Sequence, residues 1–321
     1  MLIIGAGPVG LYAAYYAGFR GFSVALMDAL PEPGGQITAM YPEKDIFDVA
    51  GFPAILGREL VNGLVEQAGQ FKPTYLLDEQ AVELTTSDAG PVTVVGSLGS
   101  QVTAKALLLT NGIGSFKPRP IPVGEEWVGR GVVYFVPRLD EHAGKDVVII
   151  GGGDSAFDWA WSLLSISKSV TLVHRRDQFR AHASMVDKVR EAGVRLITSS
   201  ELSAVRGSDN VTEVDITSKT DKSVETLPAQ TVVAALGFIA NIGPMADWGL
   251  ELEKRKLVVD TTMLSSLPRV YGAGDIATYP GKVPLISVGF GEAATAVNNA
   301  APLIDPTHGV FPGHSSGESS D

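Results

Sequence analysis

Two stretches of this chain carry residues suited to gripping a phosphate, and they recur 146 residues apart in the same register. The first reads Ile3-Ile4-Gly5-Ala6-Gly7-Pro8-Val9-Gly10, the second Ile149-Ile150-Gly151-Gly152-Gly153-Asp154-Ser155-Ala156. In each, apolar residues of strand type run into a glycine-rich turn and then an apolar helix. Gly5 and Gly151 permit the tight turn. Gly7 and Gly153 lack a side chain, so backbone can approach a pyrophosphate. Gly10 and Ala156 keep helix and strand close, while Pro8, Asp154 and Ser155 stand at the helix starts. A helix N-terminus adds free N–H groups and partial positive charge. A single glycine fingerprint can be a strand–helix turn that binds nothing. Two in one register point to two nucleotide sites.

The end of the following strand tells the copies apart. After Ser23–Met27 comes Asp28, 23 residues beyond Gly5; its carboxylate can accept ribose hydroxyls and repels a 2′-phosphate. After Ser169–Val173 come His174, Arg175 and Arg176, with Arg180 one turn on. Guanidinium groups offer forked donors that match a phosphate. Copy one is therefore expected to hold a plain adenosine ribose and copy two a 2′-phosphorylated one, as in NADPH. The bland alternative for copy two is a solvated basic patch at a strand end.

The elements around these motifs imply an insertion. Leu107–Leu109 reads as a buried strand ending at Asn111-Gly112, and Lys117-Pro118-Arg119-Pro120 as an extended linker. Val232–Leu236 ends at Gly237, before a second linker through Asn241, Gly243 and Pro244. Val270-Tyr271-Gly272-Ala273-Gly274-Asp275 is again a strand running into a glycine turn with an acid. The fold expected is α/β: residues 1–114 and 238–321 form one discontinuous domain, and 115–237 form a second inserted into it. A helix is expected at 292–301.

Bulk composition bounds the function. With 321 residues, 45% of them hydrophobic, the chain can build two cores. No apolar run reaches the roughly 18 residues of a membrane span, and Met1–Gly5 lacks the basic region of a signal peptide. There is no cysteine, which excludes disulfides, thiolate metal sites and dithiol relays within this chain and agrees with a cytoplasmic setting. No histidine spacing suggests a metal. Trp159 and Trp161 read as packing residues. The net charge of −11 is uneven: residues 115–237 carry 15 basic against 16 acidic side chains, the remainder 10 against 20. An acidic protein of this kind does not suit nucleic acid.

These motifs together resemble the flavoprotein disulfide reductases, in their small thioredoxin-reductase-like branch, and within it the ferredoxin (or flavodoxin)–NADP⁺ reductases. Besides the two fingerprints, the resemblance rests on Gly34-Gly35-Gln36, Tyr41-Pro42-Glu43-Lys44, Asp48–Pro53, His174–His182 and Gly272–Asp275. It covers essentially the whole chain. Thioredoxin reductases carry a cysteine pair before the second fingerprint, just past a Gly-Val-x-Tyr stretch. Here that stretch is Gly131-Val132-Val133-Tyr134-Phe135-Val136-Pro137-Arg138. Without a thiol, electrons must leave the flavin for something outside the chain.

The resemblance implies two Rossmann-like, three-layer ββα domains joined by a two-stranded hinge, FAD on the first and NADP(H) on the second. It places Gly5, Gly7, Pro8 and Gly10 at the FAD pyrophosphate, Asp28 at its ribose, Gln36 on the flavin side, Val82 at the adenine, Phe116 near the cofactor and Asp275 at the ribityl chain. Tyr41 and His314 stack on the isoalloxazine, with Ser316 close by. Gly151, Gly153, Asp154, Ser155, His174, Arg175, Arg176 and Arg180 serve NADP(H). It implies a homodimer whose domains rotate about the linkers while passing electrons from NADPH to ferredoxin or flavodoxin, with no side-chain acid or base. A diaphorase acting on quinones, free flavins or ferric chelates shares the same motifs. A nucleotide-binding redox sensor without turnover is the non-enzymatic alternative.

Overall fold

A computed structural model describes residues 1–87 and 90–313. Contacts divide the chain into two units: Met1–Ala39, Asp45–Phe116 and the described part of Ala240–Asp321 form one, and Met40–Lys44 with Lys117–Ile239 the other.

The first unit opens with β1 (Leu2–Ile4), α1 (Pro8–Phe19), β2 (Ala25–Met27), α2 (Gly57–Gly69) and β3 (Thr74–Leu76). An antiparallel meander follows, of β4 (Ala81–Thr85), β5 (Val92–Gly96) and β6 (Gln101–Ala104), and then β7 (Leu107–Leu109). The chain leaves this unit along β8 (Ser115–Pro118).

The second unit contains β9 (Val132–Val133), β10 (Asp146–Gly151), α3 (Asp154–Leu164), β11 (Ser169–Val173), α4 (Ala183–Glu191) and β12 (Arg195–Ile197). The antiparallel β13 (Ser200–Gly207), β14 (Val211–Ser218) and β15 (Val224–Pro228) precede β16 (Thr231–Ala235). The return path is β17 (Phe238–Asn241), which pairs with β8 in a two-stranded sheet. The first unit is completed by β18 (Val270–Gly272) and α5 (Ile286–Ile304).

Each unit centres on a five-stranded, all-parallel sheet, in the order β18-β7-β1-β2-β3 in the first and β9-β16-β10-β11-β12 in the second. Such sheets need cover on both faces, so their strands read as unbroken apolar runs. β10 shows this most clearly. Val147 and Ile149 pack with Phe157, Trp159 and Leu163 of α3, while Val148 and Ile150 face the meander residues Leu202, Val214 and Leu227. Alternate side chains along one strand thus serve two cores. In the first unit α1 packs between α2 and α5, and Leu2, Ile3, Ala13, Leu108 and Ala296 join one core.

Helix α5 starts at Ile286, six residues before the expected start at Glu292, which lies inside it and is buried. Trp159 is core, as expected, but Trp161 is 40% exposed and stacks under the Lys188 ammonium, 3.7 Å from its ring centroid. Among the described residues no helix is long and apolar enough to cross a membrane.

Candidate nucleotide-binding sites

In the first unit the fingerprint joins β1 to α1. Gly5 has φ +105°, and a Cβ there would stand 2.6 Å from the Thr110 carbonyl. A Cβ on Gly10 would stand 1.8 Å from the Gly5 oxygen. Thr110, past the end of β7, closes the turn by directing its buried hydroxyl at the carbonyls of Ile4 and Gly5, 3.0 and 2.8 Å away. Gly7 differs: the nearest neighbour of a Cβ there would be Gly35 Cα at 3.9 Å, so the approach to this turn is open. Gly7 also stands at the N-cap of α1 with no side chain capping the helix. Its first-turn N–H groups remain available to an anion.

Asp28 sits past the end of β2. Its Oδ2 accepts the Ala6 amide at 2.6 Å and its Oδ1 the Leu30 amide at 2.8 Å, which ties the strand end to the fingerprint. Burial pushes its carboxyl up, opposed by these two amide bonds. Each oxygen keeps a lone pair for a ribose hydroxyl. Gln36 begins a short helix, Gln36–Met40, and lies against the turn after β7, where a Cβ on Gly112 would meet its Nε2 at 3.0 Å. Val82 falls at an irregularity in the β4–β5 pairing, and its carbonyl accepts the Trp248 indole N–H at 3.2 Å. Asp275 is half-buried in the turn after β18, and its carboxylate accepts no hydrogen bond from the described residues. The fingerprint, Asp28, Thr110 and the Asp275 turn follow the C-terminal ends of adjacent parallel strands, where such sheets bind ligands; Gln36 and Val82 come from a short helix and from the antiparallel meander.

In the second unit Gly153 is as open as Gly7, since nothing would lie within 4 Å of a Cβ there, and no side chain caps α3. A Cβ on Gly151 would stand 2.5 Å from the Ala235 oxygen. Ala156, where copy one has Gly10, is fully buried. The strand-end loop is tied to the fingerprint, since the Arg180 amide donates to the Gly152 carbonyl at 2.7 Å. His174 packs against Gly152 and lies 5.5 Å from the Phe179 ring. Burial lowers its imidazole, which favours the neutral form, and its Nε2 is buried without a partner among the described residues. Arg175, Arg176 and Arg180 lie on this loop, and their guanidinium groups form no ion pair among the described residues. Asp154 Oδ1 accepts the His182 amide at 3.0 Å, so it also braces this loop; Ser155 is exposed on the first turn of α3.

Four residues expected at the flavin are not seen beside the first fingerprint. Tyr41 groups with the second unit: it packs against the α3-side core, and neighbouring Lys44 pairs with Asp158 of α3. Phe116 lies in β8, its side chain outside what is described; His314 and Ser316 lie outside the described residues. Sequence reasoning misses Thr110 altogether. Its only signal is a hydroxyl at the end of an apolar strand.

Comparison with known proteins agrees with this geometry. A family model for pyridine nucleotide-disulphide oxidoreductases matches residues 1–300. The chain belongs to that family. It is 59% identical to a ferredoxin–NADP reductase of Frankia alni, over 99% of both chains. It is 48% identical to one of Thermus thermophilus, over 98% of this chain and 96% of the other. Among solved structures, the thioredoxin reductase of T. acidophilum aligns over 95% of this chain and 97% of its own, with TM-score 0.77 and 25% identity. The family's cofactors, FAD and NADP(H), are those of this chain. The two open fingerprints, uncapped helices and the free carboxylate of Asp275 fit them. This member contains no cysteine.

Proposed function

We propose that this enzyme exchanges electrons between NADPH and a one-electron carrier protein, ferredoxin or flavodoxin, with FAD held by the first unit and NADP(H) by the second. The absence of any thiol carries this reading. A chain with both nucleotide fingerprints and no cysteine cannot pass electrons to a disulfide of its own, so they leave for an external acceptor. The names of relatives at 59% and 48% identity support the same acceptor class.

FAD, when bound, accepts a hydride and releases electrons singly, chemistry that belongs to the cofactor. The chain supplies grip and orientation. Gly5, Gly7, Pro8 and Gly10 receive the FAD pyrophosphate, and Asp28 accepts its ribose hydroxyls. Gln36 and Asp275 hold the flavin side and ribityl chain, and Val82 borders the adenine. Gly151, Gly153, Asp154 and Ser155 form the NADP(H) pyrophosphate turn. Arg175, Arg176 and Arg180 take its 2′-phosphate, and neutral His174 buttresses the turn. The stacking roles of Tyr41 and His314, and those of Phe116 and Ser316, rest on the family resemblance. So does a homodimeric assembly, while the cytoplasmic setting rests on the cysteine-free composition.

The test is anaerobic cytochrome c reduction by NADPH while ferredoxin or flavodoxin is titrated in. Saturable stimulation by a carrier is expected. A rate that ignores both carriers but rises with quinone or free flavin would replace this reading with the diaphorase one.

A further inference from the structure

The turn that presents Asp275 is held by a buried ion pair to which no nucleotide-binding motif assigns a role. Glu292 lies inside α5 and is only 5% exposed. Its Oε2 accepts the Gly274 amide at 2.8 Å, and its Oε1 accepts both the Tyr279 hydroxyl and the Lys282 ammonium. The Lys282 and Glu292 side chains are 5% and 4% exposed. A buried charge this well enclosed persists only when its bonds are satisfied. Here each carboxylate oxygen is engaged, one by the turn backbone and the other by a side-chain clamp.

The placement gives the pair a purpose. Gly289, one turn before Glu292 on the same helix, lets α5 approach closely. A Cβ there would stand 2.5 Å from Val9 Cγ2 and 3.3 Å from Gly274 Cα. Gly274 has φ +79°, and a Cβ on it would stand 3.1 Å from the same Val9 Cγ2. Thus α5, the turn Gly274–Ile276 and the fingerprint residue Val9 converge at one point. The Glu292–Gly274 bond fixes the turn where they meet. Asp275 is the next residue, and its own carboxylate is left free. Burial and the Glu292 carboxylate push the Tyr279 phenol up to about 12, so the clamp keeps its donor proton across the working pH range.

We propose that Glu292 is a positioning residue for the flavin half of FAD, holding the Asp275 turn through the Gly274 amide, with Lys282 and Tyr279 orienting its carboxylate. This rests on the placement of FAD in the first unit with Asp275 at its ribityl chain. Loss of the network releases the ribityl end and leaves the adenosine end untouched.

The test uses the full chain, stripped of FAD and titrated with FAD, and with ADP as a competitor that occupies only the fingerprint end. The variant K282M/E292M replaces the pair with apolar side chains of similar length. FAD affinity is expected to fall at least tenfold and ADP affinity to stay within twofold. K282R is expected to keep both affinities near wild type. Parallel loss of FAD and ADP affinity would show a purely structural role and overturn the proposal, as would unchanged FAD affinity. Should K282M/E292M not fold, Y279F carries the test: about threefold weaker FAD at constant ADP is expected, and no change overturns the proposal. D275N separates the two levels of inference. If D275N binds FAD as wild type does, the placement of FAD itself fails. If D275N loses FAD but the Glu292 variants do not, only the positioning role fails.

Discussion

Replacing Arg175 and Arg176 together by alanine should erase the preference for NADPH over NADH. Both guanidinium groups stand free of ion pairs among the described residues, at the end of β11, on a loop that the Arg180 amide ties to the second fingerprint. A hydrogen bond to a charged group contributes about 1.5–3 kcal/mol; for exposed groups screened by water we take about 1–1.5 kcal/mol per arginine. The pair then supplies about 2–3 kcal/mol, or roughly 30–150-fold in affinity at 1.4 kcal/mol per decade. The 2′-phosphate lies far from the reacting nicotinamide, so the loss falls on KM with kcat little changed. The assay is steady-state diaphorase kinetics with each nucleotide, alongside calorimetric binding of 2′,5′-ADP. KM for NADPH should rise by that factor while KM for NADH stays within about twofold. Equal losses for both nucleotides, or no loss for NADPH, would refute the assignment of the 2′-phosphate to this loop.

Other outcomes follow from the same geometry. Gly7→Ala should leave the thermal stability of FAD-free protein near wild type, because its Cβ meets nothing closer than 3.9 Å, yet weaken FAD binding at least tenfold; Gly5→Ala, strained at φ +105° and facing a carbonyl, should unfold the first unit. In the second unit the Lys168 ammonium, with Ser169, holds the Asp146 carboxyl below the usual carboxylate value. That contribution is fully present above the unfolded value of about 3.9 and is lost as pH falls through the lower folded value. Asp146→Asn should therefore cost about 1–2 kcal/mol at neutral pH, and the gap between the two urea curves should close in strong acid. Arg20, 7% exposed, bonds Asn298 and the carbonyls of Gly309 and Val310 at 2.8 and 3.1 Å. Arg20→Ala should cost about 2–3 kcal/mol and hasten proteolysis near residue 310, as read by limited digestion and mass spectrometry.

What can be read in the sequence is local. The glycine spacings, the acid or arginines at the following strand end and the all-apolar strands each express a constraint within about 30 residues; the strands build the cores, and the turns and strand ends lie where parallel sheets bind ligands. What escapes is long-range. Thr110 closes the first fingerprint from the end of a strand about 100 residues away. Glu292 reads as the polar start of a helix, because nothing in its neighbourhood announces that Lys282, Tyr279 and the Gly274 amide surround it. Tyr41 reads as part of the first domain by chain position, but Lys44 finds its partner, Asp158, 114 residues away on α3. Asp154 reads as a pyrophosphate residue alone, and the structure adds a bracing bond to the His182 amide.

The central claim is that one chain holds two different dinucleotides, each on its own fingerprint. It is tested most directly by measuring FAD and 2′,5′-ADP binding to the full chain after closing each turn in turn with Gly7→Val or Gly153→Val. The account predicts that the first substitution abolishes FAD binding and spares 2′,5′-ADP, and that the second does the reverse. Loss of both ligands from either folded variant, or competition between the two for one site in the wild type, would contradict it.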